Sequence, residues 1–439
     1  QGLGSATVEG SLDRWRLTGQ ARVDSVAWLR TSLRAGTVRG TVTAGRLDVM
    51  KLDVRAQIDS LERGRFGFAD LTASAAGAPA DLAWAAGGAL GSTSAVRSAG
   101  RWRRTDSTTT LAIDSLAIQV LARTWRLASP VAVRMDSVAT ATDTIRLATE
   151  DGSGSIQMEG ELPGARSGRL TVSALGIGLD DLYALAQRDT AGIRGTVSLD
   201  ARVGGTRASP TFRGSASITG PVIGEGFAPL VRGVFNYQER RLQSNLTFWR
   251  TGRPVLDVDA ELPIDLALGK VARRQLPGAL SIRGRADSVD LGVFEALTPN
   301  VRRITGSLGI DGSVSGTWDR PRLGGWVEFR QGSGFVSGLG VGYGPVDGRI
   351  RLVGDSLVAD SIEVGAAGGS ATIQGAVRLE RLTTPVLDLR LTARNFPVID
   401  VRDYLTVRAR GEVHLTGPIA RPVVTGQVLA SNSVIYFAD

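Results

Sequence analysis

The side chains that most often carry catalysis are scarce in this sequence. It has one histidine, His414, and no cysteine. The missing cysteines exclude a thiol nucleophile, a thiolate metal site and a disulfide framework. His414 alternates with Val413 and Leu415, which predicts a strand position that faces solvent. A Ser-His-Asp triad or a histidine metal site has no further support. We therefore predict no metal, no cofactor and no enzymatic activity.

The 43 acidic residues are the remaining candidates for chemistry. They lie on the polar side of alternating segments, as Asp257, Asp259 and Glu261 do in PVLDVDAELP. A carboxylate pair for glycoside hydrolysis is defined by its separation in space, so a polysaccharide-acting enzyme stays open as an alternative. No Gly-rich loop leads from a buried strand into a helix of useful length, which argues against a phosphate cradle.

The basic residues indicate no nucleic-acid partner. The formal net charge is +8, and Lys51 and Lys270 are the only lysines beside the many arginines. These cations are interspersed with acids, as in VLDLRLTAR, and aromatic residues make up only 5% of the chain. Nucleic-acid binding needs a basic stripe and stacking aromatics. No apolar run reaches the ~20 residues of a membrane-spanning helix.

Strict alternation of apolar and polar residues predicts an all-β fold with one apolar face. In GTVSLDARV, Val197 and Leu199 go to one side and Ser198 and Asp200 to the other. Similar segments recur along the chain and predict roughly 35 strands. The predicted apolar lining consists of Val197, Leu199, Phe212, Ile218, Leu246, Phe248, Leu256, Val258, Leu308, Ile310, Val327, Phe329, Ile350, Leu352, Ile373, Val377, Leu379, Leu387, Leu389, Leu391, Val413 and Leu415.

Helical segments are few and short. The best candidates are GLDDLYALAQ at 178–187, LGVFEALTP at 291–299 and VIDVRDYL at 398–405. Each has room for two or three turns, which is too short for a helical bundle. An all-α fold is therefore excluded.

A turn element occurs three times, in the segments 195–214, 306–325 and 411–426. Each places a Pro five residues and a second Gly nine residues after a first Gly; the sets are Gly205, Pro210 and Gly214, then Gly316, Pro321 and Gly325, then Gly417, Pro422 and Gly426. Gly supplies turn conformations and Pro takes positions that need no ladder N–H, so the element predicts strand, loop, strand. We divide the chain into a divergent β-repeat region at 1–137, repeat units at 138–245 and 246–354, and a truncated unit at 355–439, which together form one continuous module.

An apolar sheet face must be covered by other parts of the chain, folded inward or occupied by a ligand. A closed β-helix of structural or adhesin-like type would pack the face solid, and this alternative stays open. An open trough would leave the face for a ligand. Glycines at apolar-face positions, such as Gly284, Gly312 and Gly375, let a sheet bend and leave space. Such space suits an acyl chain.

The order of strand, short helix, Gly-led strand, Pro loop and strand resembles the TamB family of the translocation and assembly module, within the AsmA-like group of bridge-like lipid transfer proteins. The Glu-Leu-Pro segments at 161–163 and 261–263 are of the same type. The resemblance covers about 125–439. It implies an elongated, repetitive β-taco with an apolar interior.

The resemblance also implies a function and a cellular location. The family is expected to carry phospholipid acyl chains between the inner and outer membranes, or to support outer-membrane protein assembly. It is expected in the periplasm, with an inner-membrane anchor in an N-terminal segment outside this sequence. A barrel partner of the TamA or BamA type would bind a C-terminal part, and we expect this chain to stop short of that part.

Overall fold

The computed structural model describes the chain except for residues 1, 12–13, 29–30, 45–49, 64–65, 137–138, 224–225, 228, 251, 293–299, 383, 402–404 and 436–439. The chain divides into two compact units. The first contains residues 1–191 and 196–214, and the second contains residues 192–195 and 215–439. The boundary between them passes through two consecutive strands.

The first unit contains one short helix, α1, at Leu179–Leu185. Its strands are β1 (Gly2–Ser11), β2 (Arg14–Trp28), β3 (Thr31–Ala44), β4 (Lys51–Arg63), β5 (Phe66–Ala78), β6 (Asp81–Leu90), β7 (Ser94–Arg104), β8 (Thr109–Val120), β9 (Arg123–Leu127), β10 (Val131–Met135), β11 (Thr140–Thr149), β12 (Ser155–Leu162), β13 (Gly168–Gly178) and most of β14 (Ile193–Gly205).

The second unit begins within β15 (Pro210–Ile223). Its further strands are β16 (Gly226–Phe227), β17 (Leu230–Gln238), β18 (Arg241–Arg250), β19 (Arg253–Pro263), β20 (Leu280–Asp290), β21 (Val301–Gly316), β22 (Pro321–Val336), β23 (Val341–Gly354), β24 (Ser356–Ala366), β25 (Gly369–Arg381), β26 (Thr384–Val401), β27 (Leu405–Pro418) and β28 (Val423–Ile435).

The strands form one antiparallel sheet in which a strand usually pairs with its neighbours in sequence. The exceptions are the tandem pair β9 and β10, which lie one after the other between β8 and β11, and the short strand β16, since β15 pairs with both β16 and β17. The predicted all-β, repetitive fold is confirmed. A β-helix built from parallel strands is excluded for the part of the chain that the structure describes, because each register found there is antiparallel.

The strands are longer and fewer than the alternation predicted. The described residues form 28 strand segments, several of them with 13 to 18 residues. The helix predicted at 178–187 is confirmed as α1. The helix predicted at 398–405 is wrong for residues 398–401, which continue β26, and for Leu405, which begins β27; residues 402–404 lie outside the described residues. Ile399 is β-branched, which favours a strand, and it pairs with Val407 of β27. Of the helix predicted at 291–299, residues 293–299 lie outside the described residues.

The repeated element is a β-turn between long strands. Gly205, Gly316 and Gly417 have φ of +73°, +89° and +91°, and each lies at or near a strand end. In the first two copies a Thr follows the Gly. Its side chain accepts a hydrogen bond from the backbone N–H three residues later, at 3.1 Å from Ser209 and 3.1 Å from Arg320. The turn geometry predicted from the repeat is therefore present.

Fully buried apolar residues form small clusters rather than one large core. In the first unit Val120, Trp125 and Ala184 are buried together. In the second unit Ala286, Val289 and Leu308 form a comparable cluster, against which Phe329 packs. Most other apolar side chains of the sheet are half-buried. The sheet is thus held by its ladders and by one-sided contacts between neighbouring strands.

Candidate functional site

The strand registers of the second unit align apolar residues in three parallel rows on one sheet face. The first row runs through Val258, Gly284, Gly312, Gly325, Leu352, Leu357, Val377 and Leu387. The second runs through Ile310, Val327, Ile350, Ala359, Gly375, Leu389 and Leu415. The third runs through Leu308, Phe329, Gly348, Ile362, Ile373, Leu391 and Val413. We call this surface the three-row face.

Register shifts between these strands do not break the rows. The bulge between Ala359 and Ile362 in β24 keeps both side chains on the same side as their partners in β25, Gly375 and Ile373. Because a one-residue slip would turn a strand's side chains to the other face, bulges that restore the alternation preserve the apolar surface. The first row therefore continues from β19 to β26, and the other two rows continue from β21 to β27.

Open space lies above part of the three-row face. Gly284, Gly312 and Gly325 are neighbours in the first row. A Cβ added at Gly284 would meet no heavy atom within 4 Å. Among the described residues of the second unit there is no α-helix, and each strand belongs to the same sheet. Leu308 and Ala359 of the rows are buried, and most of the other row side chains are half-buried.

The opposite face is polar and is crossed by ion pairs. Arg351 forms a two-pronged pair with Asp360 at 2.6 Å, and Arg349 contacts Glu328 at 2.9 Å. Arg351, Asp360 and Arg349 are about half exposed and Glu328 is less so, and such solvent-accessible pairs add little stability. Hydrogen bonding and charge from these arginines lower the pKa of Asp360 and of Glu328.

His414 lies on the polar face, as predicted, opposite in direction to Val413 and Leu415. Its Nε2 is 2.8 Å from Glu412 Oε1, and the backbone of His414 pairs with Arg390. The hydrogen bond to His414 lowers the pKa of Glu412. The group is a surface ion pair, and no serine or threonine hydroxyl is bonded to it among the described contacts.

Two aromatic rings mark one margin of the three-row face. Tyr343 of β23 and Phe396 of β26 stack with ring centroids 5.2 Å apart. Strands β24 and β25 lie between them in the sheet, and their connecting turn ends before the rings. The Tyr343 hydroxyl donates to the Pro397 carbonyl at 3.2 Å, and the Asp400 N–H donates to the Leu339 carbonyl at 2.8 Å. The sheet of this unit is therefore strongly curled here.

At the other strand ends of the second unit, the repeated turn joins three loops. Trp318 Nε1 donates to the Pro263 carbonyl at 3.1 Å, and the Leu382 N–H donates to the Trp318 carbonyl at 3.1 Å. Asp319 pairs with Arg273 at 3.1 Å and with Arg381 at 3.7 Å. A cavity of about 370 Å³ beside these groups is polar; its lining is Arg273, Gln275, Trp318, Asp319, Arg381 and Leu382. The cavity is a junction of loops, away from the three-row face.

In the first unit, α1 covers an apolar cluster at the strand ends. Ala184 is 2% exposed and packs with Val120 and Trp125. Arg123 lies between two carboxylates of the helix, 3.1 Å from Asp180 and 2.9 Å from Asp181. Burial raises the pKa of Asp181, and its contact with Arg123 opposes that shift.

The registers bring fourteen of the predicted lining residues into the three rows. Leu246, Phe248 and Leu256 continue the same pattern on β18 and β19, where Leu246 pairs with Val258. Leu379 is half-buried beside the first row; Val197, Leu199, Phe212 and Ile218 are half-buried elsewhere on their own strands. Contact of these residues with lipid remains a prediction. Sequence reasoning missed Tyr343 and Phe396, because they are distant in sequence and lie past a bulge.

The described residues contain no group of three or more His, Asp or Glu side chains placed to hold a metal ion. Within the same part of the chain, no helix is both long and apolar enough to cross a membrane.

Comparison with known proteins gives one family. Residues 359–439, which include β25 to β28, match the TamB C-terminal domain. This match supports a TamB-family protein with a role in outer-membrane biogenesis. Neither the curated proteins nor the solved structures give a match.

Proposed function

We propose that the three-row face binds the acyl chains of phospholipids and lets them pass along the sheet, as expected of a TamB-family protein whose residues 359–439 match the C-terminal domain of that family. The proposal includes the periplasmic location, the inner-membrane anchor and the outer-membrane partner of the TamA type that are general in the TamB family. The observation that carries the proposal is the apolar face that runs without a break from β19 to β27 and has open space at Gly284.

The energetics favour sliding over tight binding. Each buried methylene contributes roughly 0.8 kcal/mol, so a 16-carbon chain in water is disfavoured by about 12 kcal/mol. The rows offer similar apolar side chains at each strand, and neighbouring strands are about 4.8 Å apart. An acyl chain that moves by one strand therefore exchanges one set of contacts for an equivalent set. No charged side chain of the described rows interrupts the path.

A charge placed on the three-row face tests the proposal. Gly284 is the best position, because a side chain there enters open space and displaces no packed neighbour. Desolvating an unpaired carboxylate costs several kcal/mol, which is comparable to several methylenes of lipid transfer. We expect Gly284→Asp to reduce phospholipid transfer between donor and acceptor vesicles at least about tenfold. Replacing Phe329 is less informative, since this ring also packs against the buried cluster.

The matched control is Gln374→Asp, which adds the same charge to the exposed polar face opposite Arg390. Transfer by this variant should equal that of the wild type. Circular dichroism and hydrogen exchange verify that both variants are folded. Undiminished transfer by folded Gly284→Asp, or no lipid bound to the purified wild-type protein, would refute the proposal.

A second candidate function is the assembly of outer-membrane proteins. It is favoured by exposed apolar side chains on β28, among them Val424, Val428 and Leu429, within the matched domain. A photoreactive residue at position 428 distinguishes the two candidates in cells. A protein adduct of outer-membrane precursor size indicates assembly, and a lipid adduct indicates transport.

A further inference from the structure

The segment 179–187, which we call the cover segment, crosses the ends of several strands in the first unit. It comprises α1 and the two residues that follow it. Gln187 forms two hydrogen bonds with one residue of β5, because its Oε1 accepts from the Gly67 N–H and its Nε2 donates to the Gly67 carbonyl, both at 2.7 Å. The two residues are 120 positions apart. The Gly67 carbonyl also accepts from the Gly91 N–H at 2.9 Å, so the amide of Gln187 adds to the backbone pairing at the start of β5.

Polar contacts, rather than apolar packing, hold the cover segment in place. The apolar side chain that it buries most completely is the small Ala184, whereas Leu182 and Leu185 are each 41% exposed. Asp181 points inward and is 1% exposed. Its Oδ2 is 2.9 Å from Arg123 Nη1, and the neighbouring Trp125 side chain also favours the charged carboxylate, but neither Asp181 oxygen has a well-aligned hydrogen bond among the described residues.

This arrangement makes the closed position of the cover segment weakly favoured. A buried carboxylate is costly unless its oxygens are fully hydrogen-bonded, and Asp181 shares its one guanidinium with Asp180. Moving the helix outward would hydrate Asp181 and would separate Ala184 from Val120 and Trp125. Segments with few buried apolar contacts are the ones that open locally in folded proteins.

The surface beneath the cover segment is suited to an apolar chain. Around Val120 and Trp125 it consists of Ile118, Leu121, Leu147, Ile156 and Ile177. These side chains come from β8, β11, β12, β13 and the β8–β9 turn, so the surface spans several strands. A single acyl chain could replace the contacts that Ala184 gives up.

We propose that the cover segment is a movable lid and that an acyl chain enters the first unit beneath it, between α1 and the ends of β8 and β9. This inference rests on the proposed lipid function for the identity of the ligand. The opening motion is a property of the protein alone and can be measured without lipid.

The first experiment measures opening by thiol labelling, which is clean because the chain has no cysteine. Ala184→Cys places a thiol on the lid, at a position that is 2% exposed, and Leu170→Cys places one on β13, at a position that is 6% exposed and lies outside the cluster beneath the lid. We expect a small maleimide at low concentration to label position 184 at least tenfold faster than position 170, since the moving lid carries the first thiol into solvent and leaves the second buried. Equal, slow labelling at both positions would overturn the lid.

The second experiment locks the lid. A Cβ at Gly91 would lie 3.3 Å from Gln187 Cγ, so Gly91→Cys with Gln187→Cys can form a disulfide. The reduced double variant controls for the strain at position 91, where φ is +63°. A cysteine pair at Glu159 and Thr171, which are paired on the exposed side of β12 and β13, controls for a disulfide that does not cross the lid.

Entry of lipid beneath the lid is measured by photocrosslinking at a single position in the cluster. A photoreactive residue at Leu147 reports lipid beneath the lid when the protein is incubated with phosphatidylcholine–phosphatidylglycerol vesicles. We expect the disulfide between positions 91 and 187 to reduce lipid adducts at least fivefold, with recovery on reduction, and the control disulfide to leave them unchanged. Equal adducts in locked and reduced protein would refute entry beneath the lid. Fast labelling at 184 with no lipid adduct at 147 in any form would refute it as well, and lipid bound on the three-row face would then show that the proposed function itself stands.

Discussion

Two glycines of the same row should respond in opposite ways to substitution by alanine. Gly325 has φ of +109°, and a Cβ there would overlap the Asp311 carbonyl oxygen of the neighbouring strand. Gly284 lies two strands away in the same row, has no such φ, and has open space where a Cβ would be. Sequence pattern alone treats the two positions as equivalent.

The magnitude follows from backbone strain. A residue with a side chain in this part of φ/ψ space is disfavoured by about 1–3 kcal/mol, and the overlap with a fixed carbonyl increases the cost. We expect Gly325→Ala to lower the local stability of β21 and β22 by about 2–3 kcal/mol. Gly284→Ala should raise stability slightly, by up to about 1 kcal/mol, because alanine has less backbone freedom to lose on folding.

Hydrogen exchange resolved by peptide is the suitable assay, since a repetitive sheet does not unfold as one unit. A loss of about 2–3 kcal/mol accelerates exchange of the 306–330 peptides about 30- to 150-fold, while peptides of β27 and β28 remain unchanged. If Gly325→Ala exchanges like the wild type, or if Gly284→Ala is equally destabilised, the assigned roles of the two glycines are wrong.

Two further outcomes are expected. Hydrogen bonds from the Thr149 side chain and then from the Ser153 backbone and side chain lower the pKa of Asp151 to about 2. The contribution of Asp151 to stability is therefore complete above about pH 4 and is lost as the pH falls towards 2. An NMR titration of the Asp151 carboxyl group should give this midpoint, and Ser153→Ala should raise it. Trp318→Phe removes the hydrogen bond to the Pro263 carbonyl, which contributes about 0.5–1.5 kcal/mol. We expect this change to speed hydrogen exchange in loop 264–279 alone. Faster hydrogen exchange across the whole second unit would contradict the local role of the indole.

The local features of the fold were predictable because they depend on short spacings. Alternation places side chains on the two faces of a strand wherever it occurs, so Ile373 and Leu389 could be assigned to the apolar side without a structure. The Gly–Pro spacing of the repeated turn is equally local. The helix prediction for residues 398–401 was wrong because the spacing of their apolar residues also fits a helix. Pairing with β27 makes this segment a strand instead.

The features that depend on distant contacts were not predictable. Nothing in the neighbourhood of Gln187 indicates that its amide binds Gly67, and nothing near Tyr343 indicates a stack with Phe396. The inward direction of Asp181 is likewise set by Arg123, which belongs to a strand much earlier in the chain. Sequence alternation predicts on which face of the sheet a side chain lies. The curl of the sheet decides which side chains from distant strands come into contact.

The pairing of each strand with its neighbours in sequence has a consequence for how the chain folds. Partners lie a few residues apart, so each hairpin closes a short loop, and the sheet can grow from hairpins already formed while the remainder is still unfolded. The contact of Gln187 with Gly67 is different, because it needs the strands from β5 to β13 to be in place first. The lid should accordingly be the last part of the first unit to form, and a pulse-labelling experiment during refolding should find position 184 protected after position 170, which is buried in β13 outside the cluster beneath the lid.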